Sequence, residues 1–301
     1  MPLWIALTIG AAFLQNFRSA LQKRLAGEIS AVAATYMRFL YGVPVAAVYF
    51  ATVMVLIGAE LPVMHGPFLL YAGMGGLAQI FGTLLLVGLF AYRNFAVGNT
   101  FSKTETVQAA LFGIILLGDY LSGIAFLAIL VSLAGIITLS LAQSHLTLAT
   151  FWQSLGDKAT LMGVGSGACF GISAVAYRAA SLSLDHPNFL VAAGYTLVVI
   201  LTFQTLVMTI WLAARQQGEF LASLRSWRVG SLVGLAGALA SAGWFTAMTI
   251  QNAAYVKALG QIELVFSYIA SRFFFGEKTS GFELVGILLV VGGILMLVLV
   301  R

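Results

Sequence analysis

A chain of 301 residues with 61% apolar and only 8% charged side chains, and a mean hydropathy of +1.01, is not an ordinary water-soluble domain, in which about a quarter of the residues are charged. The formal charge of +5 does not indicate a nucleic-acid partner, because the 15 basic residues form no stripe or tail. They sit singly or in pairs between apolar runs, as anchors at a membrane surface do, and the single cysteine, Cys169, excludes a disulfide framework and a thiolate metal site.

Ten apolar stretches are predicted spans: 3–22, 31–57, 67–91, 95–117, 122–142, 160–181, 188–213, 229–251, 254–275 and 281–300. Each can cross a hydrocarbon layer of about 30 Å. They read as helices, because backbone groups in lipid must bond internally and the runs lack two-residue alternation. The first has no basic leader and reads as a span, not a cleaved signal. The second contains Pro44, which predicts a bend there. Glycines stud the third (Gly73, Gly75, Gly76, Gly82), the sixth (Gly163, Gly165, Gly167, Gly171) and the eighth (Gly234, Gly237, Gly243). Such positions let membrane helices pack closely, and the same faces are candidates for sliding during transport. The longer connections near 144–159 and 214–228 predict short interfacial helices. Trp4, Trp152 and Trp227, near span ends, read as belt residues.

The chain repeats itself. Residues 105–123, ETVQAALFGIILLGDYLSG, align with 263–281, ELVFSYIASRFFFGEKTSG. At that offset Glu105 falls on Glu263, Gly118 on Gly276, Asp119 on Glu277 and Gly135 on Gly293. Upstream, after a short drift, Gly73, Gly76 and Gly82 fall on Gly234, Gly237 and Gly243, and AVAATY at 31–36 resembles LVAAGY at 190–195. The halves are therefore 1–150 and 151–301, with five spans each. An odd span count makes the second half enter from the opposite side, an inverted-topology repeat of the kind found in secondary transporters, with the substrate site near the midplane. Lys23, Arg24, Arg93, Lys158, Arg215, Arg225, Arg228, Arg272 and Lys278 lie on one side, and Arg178, Lys257 and Arg301 on the side of the termini. By charge count the first side is cytoplasmic.

Ionisable residues inside spans are expensive in lipid and mark pathways or internal pairs. Arg38, Lys103, Glu105 and Glu263 stand out, with Lys257 opening the ninth span and Arg18 closing the first. By the repeat, Asn99 corresponds to Lys257 and Lys103 to Gln261, so two polar stretches, NTFSKTE and KALGQIE, are expected to face each other. Lys103 and Glu105, two apart on a helix, cannot pair directly; Arg38 is a candidate partner for Glu105. In the functional reading Glu105 or Glu263 binds an amine or carries a coupling proton, while Lys103, Lys257 or Arg38 holds a carboxylate. Otherwise these groups form internal ion pairs that fix helix register. Asn99, Gln79 and Gln261 add hydrogen-bonding groups to this substrate-binding or proton-coupling set. Trp244, Tyr177, Tyr195, Tyr255 and Tyr268 offer ring faces for a planar or cationic ligand.

The five-plus-five plan, with Glu105 and Gly118-Asp119 answered by Glu263 and Gly276-Glu277, and Arg38-Phe39 in the second span, resembles the EamA branch of the drug/metabolite transporter superfamily. The resemblance implies a ten-helix, all-α integral membrane protein that carries amino acids, other metabolites or drugs, often outward, through a central cavity. It departs from the family in Gly118-Asp119, where Gly-Glu is usual, and in the loop 58–66, which lacks the usual basic cluster. The family is drawn with both termini in the cytoplasm, against the charge count.

The leading expectation is a secondary carrier, exporting a small polar or zwitterionic metabolite across a bacterial inner membrane. The alternatives are multidrug or organic-cation efflux and a membrane scaffold without transport. An intramembrane enzyme is disfavoured: no span shows a catalytic signature, and His65, His145 and His186 all sit in loops. No phosphate-binding GxxxxGK[ST] occurs, so an ion gradient or exchange is expected to drive transport. The expected partners are a small-molecule substrate and membrane lipid, with no cofactor or metal, in a monomer or homodimer.

Overall fold

In a computed structural model of the chain, residues 1–25, 29–89, 100–144, 153, 156–274 and 280–299 are described. Among them every regular element is an α-helix, thirteen in all: α1 Leu3–Leu25, α2 Ala31–Leu40, α3 Gly42–Ile57, α4 Gly66–Gly88, α5 Glu105–Leu117, α6 Gly123–Ser144, α7 Lys158–Ser183, α8 Phe189–Arg215, α9 Gln217–Arg225, α10 Trp227–Ile250, α11 Ala253–Gly260, α12 Ile262–Phe274 and α13 Gly281–Leu299.

Among the described residues, seven helical stretches are long and apolar enough to cross a membrane: Val32–Ile57, Gly66–Leu86, Gly123–Ala142, Lys158–Ser183, Phe189–Arg215, Trp227–Ile250 and Gly281–Leu299. They fall on seven of the ten expected stretches. The other three, 3–22, 95–117 and 254–275, hold the densest intramembrane polar groups. The stretch 3–22 lies in α1, which is continuous but carries Gln15, Asn16 and Arg18. The other two are divided by breaks, described below.

The stretch 31–57 is interrupted at Tyr41, three residues before the expected bend at Pro44. The reason is local. A proline ring inside a helix clashes with the carbonyl four residues earlier, here that of Leu40, the last residue of α2. Pro44 becomes the third residue of α3, where a missing N–H costs nothing. The expected interfacial helix at 214–228 is α9, docked on the α2 end: Glu219 Oε2 accepts from Ser30 N at 3.1 Å, and Tyr41 Oη donates to Ser223 O at 3.2 Å. Its expected counterpart at 144–159 lies largely outside the described residues, as do Asn99, Arg93, Trp152, Lys278 and Arg301 and the side chains of Lys23, Arg24 and Arg272.

The chain forms two compact units, each drawn from both sequence halves. The first comprises Met1–Ile80 and Ala176–Gln251, the second Phe81–Val175 and Asn252–Arg301. In the first unit α10 packs against α1, α2, α3 and α8. Its glycines make this possible. A Cβ on Gly243 would stand 3.1 Å from Leu7 O and 3.0 Å from Ala11 Cβ, and one on Gly234 would strike the backbone of Tyr41. In the second unit α6 and α13 lie backbone to backbone: a Cβ on Gly135 would stand 2.6 Å from Val290 N, and one on Gly286 2.8 Å from Leu139 N. Small residues thus convert into close helix approach and dispersion contact, the main source of association in lipid.

Candidate functional site

The second unit contains two helix breaks at positions that the repeat makes equivalent. In the first, Lys103 N and Thr104 N turn back to Thr100 O and Phe101 O at 3.1 Å each. In the second, Gln261 N bonds Ala258 O at 3.2 Å, and Leu264 N bonds Gln261 O at 3.0 Å. These tight bonds end one helical segment and start another. Glu105 is the first residue of α5 and Glu263 the second of α12, where the positive end of the helix dipole favours a carboxylate. Lys257 sits in the last turn of α11, where a cation is favoured.

The breaks are joined by crossed ion pairs. Lys103 Nζ donates to Glu263 Oε1 at 2.7 Å, and Lys257 Nζ lies 3.6 Å from Glu105 Oε1. Each glutamate is thus paired with a lysine from the other polar stretch, and the group carries no net charge. The Lys103–Glu263 side chains are 24% and 13% exposed, so they are shielded but reachable. The partner of Glu105 is Lys257 rather than Arg38, which belongs to the other unit.

Neutral groups extend the cluster. Gln261 Nε2 donates to Thr106 Oγ1 at 3.2 Å, and Gln108 Nε2 to Thr104 Oγ1 at 2.8 Å. The amide oxygens of Gln261 and Gln108 are buried without a hydrogen bond, which leaves two acceptors beside the ion pairs. The backbone here is tightly backed. A Cβ on Gly167 would stand 2.9 Å from Ser102 O and 3.2 Å from Glu105 N, and one on Gly171 3.0 Å from Ala109 N. These sixth-span glycines let α7 support the first break.

Of the remaining sequence candidates, Gln79, Arg38, Tyr177, Tyr195 and Trp244 lie in the first unit, and Tyr255 and Tyr268 in the second. Tyr177 Oη donates to Gln79 Oε1 at 2.8 Å, and its ring stacks on Phe245 with centroids 4.5 Å apart. Gln204 Nε2 joins the same network, at 2.8 Å from Gln79 Oε1 and 3.1 Å from Tyr177 Oη. Sequence reasoning passed over Gln204, although a lone amide in the apolar run LTFQTLV is the available signal. Trp244 Nε1 donates to Gln15 Oε1 at 3.1 Å. Arg38 lies over the Phe39 ring, 5.3 Å from its centroid. Tyr195 packs between Phe50 and Phe68, at 5.7 Å from each ring centroid. Arg178, counted above as a surface charge, instead caps the end of α10: its Nη1 donates to Met248 O and Gln251 O, both at 2.7 Å. Trp227 is exposed near the start of α10, with Arg228 5.7 Å from its ring centroid.

Residues 157–299 match the model of the EamA-like transporter family, within the drug/metabolite transporter superfamily. No curated protein matches the chain. Twenty-nine chains of known structure do; one crystal structure shares a TM-score of 0.72 with 17% sequence identity, covering 99% of this chain and 99% of that chain. That likeness shows the fold. The apolar helices mark a multi-pass membrane protein, and over residues 157–299, just under half of the chain, it is similar to EamA-like transporters.

Proposed function

Starting from an EamA-like transporter sequence over residues 157–299, we propose that the chain is a secondary active transporter that exports a small polar, zwitterionic metabolite across the bacterial inner membrane. In this reading ten spans form two inverted five-span repeats, 1–150 and 151–301. They alternate access around the broken fourth and ninth spans, driven by an ion gradient or by exchange. The protein works without chemical catalysis, as a monomer or homodimer.

The observation that carries the reading is the crossed pairing of Lys103 with Glu263 and Lys257 with Glu105. Breaking one such pair alone strands a charge away from water, which costs about 3–5 kcal/mol for a buried pair. A zwitterion avoids that cost: its carboxylate takes a lysine, its amine takes the released glutamate, and every charge stays matched. The longer Lys257–Glu105 contact, at 3.6 Å, is the weaker of the two and opens first. A hydrophobic cation would leave the displaced lysine unmatched, so the organic-cation reading fits the cluster less well.

Uptake of a radiolabelled amino-acid mixture into proteoliposomes tests this. Saturable flux that falls at least tenfold in both Glu105→Gln and Glu263→Gln is expected. No flux of any zwitterion, with competition only by hydrophobic cations, would overturn the proposal.

A further inference from the structure

Three arginines of the first unit, Arg215, Arg225 and Arg228, are exposed around α9. Arg215 ends α8, and Arg228 is the second residue of α10. Both helices are long and apolar enough to cross a membrane, so the stretch between them, α9 included, lies at one membrane surface. The two faces of α9 differ. The inner face packs on α2: the Phe220 ring centroid lies 6.1 Å from that of Tyr36, Ser223 is buried, and Glu219 Oε2 accepts from Ser30 N at 3.1 Å. The outer face carries Gln217, Leu221, Leu224 and Arg225, all exposed, at the spacing of one helical stripe. Trp211, four residues before Arg215, and Trp227, beside Arg228, are exposed as well. The Arg228 guanidinium stands 5.7 Å from the Trp227 ring centroid. Glu219 is the one acidic residue between positions 211 and 230, and its carboxylate is turned inward to the start of α2. The outward charge of the stretch is therefore wholly positive. Exposed leucine and tryptophan beside arginine suit the headgroup layer of a bilayer: the apolar groups enter the acyl boundary, and the guanidinium forks take phosphate oxygens.

We propose that this face of α9, with Arg215, Arg225 and Arg228 and the flanking tryptophans, binds anionic phospholipid headgroups. What the lipid steadies is the α2–α3 break. Tyr41, at the break, donates from its hydroxyl to Ser223 O at 3.2 Å and to Leu224 O at 3.3 Å, next to Arg225. A headgroup held at Arg225 fixes the end of α9, and with it the carbonyls that anchor Tyr41. The surface does not depend on the transport reading, because lipid binds there whether or not flux occurs.

The test is melting of the full chain in neutral-detergent micelles doped with phosphatidylglycerol, against the same fraction of phosphatidylcholine. A third arm adds free glycerol 3-phosphate without lipid. Binding to the folded state stabilises by mass action, and phosphatidylglycerol should raise the melting temperature by about 3 °C or more over phosphatidylcholine. Arg215→Gln, Arg225→Gln and Arg228→Gln combined should remove at least half of that increment. In wild type, about 1 M potassium chloride, where the Debye length is about 3 Å, should remove it as well; this arm needs no variant to fold. Hydrogen exchange of the α2 amides should slow with phosphatidylglycerol in wild type and not in the triple variant. Equal melting in the two lipids, an increment undiminished in the triple variant or by salt, or a full rise with glycerol 3-phosphate alone overturns the surface. Exchange in α2 that ignores phosphatidylglycerol overturns its link to the break.

Discussion

The two compact units handle intramembrane charge in opposite ways. In the second, two lysines meet two glutamates across paired helix breaks. In the first, arginines share a glycine notch or cap a helix end, and no acidic residue occurs in its spans. The balanced cluster is electrically neutral as it stands and changes only by exchanging partners. The other has no carboxylate within its spans with which to exchange. Both units rest on the same foundation of glycines pressed against backbone, so the difference lies in the polar residues and not in the packing.

The largest expected effect tests that shared foundation. Gly293→Val in the second unit would drive a side chain into Ser132 and to 2.7 Å from Ala128 O. Because the obstacle is backbone, the cost should exceed the usual 1–3 kcal/mol of overpacking, and size-exclusion chromatography should show no monodisperse protein. Gly10→Ala, whose added methyl would meet nothing within 4 Å, should leave the melting temperature unchanged or slightly raised.

Next comes the charge balance itself. Glu263→Gln should destabilise by about 2 kcal/mol, below the range for fully buried pairs because these groups are part-exposed. The double change Lys103→Met with Glu263→Met should recover much of the loss. In the first unit the corresponding test is Arg178→Gln, which frees the carbonyls of Met248 and Gln251. The expected cost is about 1–3 kcal/mol, the usual penalty for a lost charged hydrogen bond. No single second-site change in the first unit should rescue it, because the bonds lost are to backbone carbonyls. A rescue of Arg178→Gln as complete as that of Glu263→Gln would erase the contrast between the units.

Much of this plan can be read from the residues. Composition marks the membrane class, and apolar runs locate the seven long helices. The aligned glycines foretell which faces touch, since Gly135, Gly234 and Gly243 all meet backbone or small side chains. The helix breaks are not legible. The first falls in Ser-Lys-Thr-Glu, with no proline or glycine, so only the tight turn bonds reveal it. Nor could spacing assign the partners: it offered Arg38 to Glu105, whereas the fold supplies Lys257. Pairing depends on which helix ends meet, and the division into units cuts across the sequence halves.

The smallest expected effect sharpens the comparison from the neutral side. Tyr177→Phe removes the hydroxyl that bonds Gln79 and Gln204. The acceptor it leaves, Gln79 Oε1, still receives Gln204 Nε2 at 2.8 Å, and the ring keeps its stack on Phe245. A lost hydrogen bond costs most when it strands a buried partner, and Gln79 Oε1 keeps its bond from Gln204. The loss of stability should therefore be about 0.5–1 kcal/mol, below that of Trp244→Phe, which removes the indole N–H that donates to Gln15. If melting curves reverse that order, the amide–phenol network of the first unit is more tightly coupled than its pairwise geometry implies. Its polar groups would then act as one body, as the charged cluster of the second unit does.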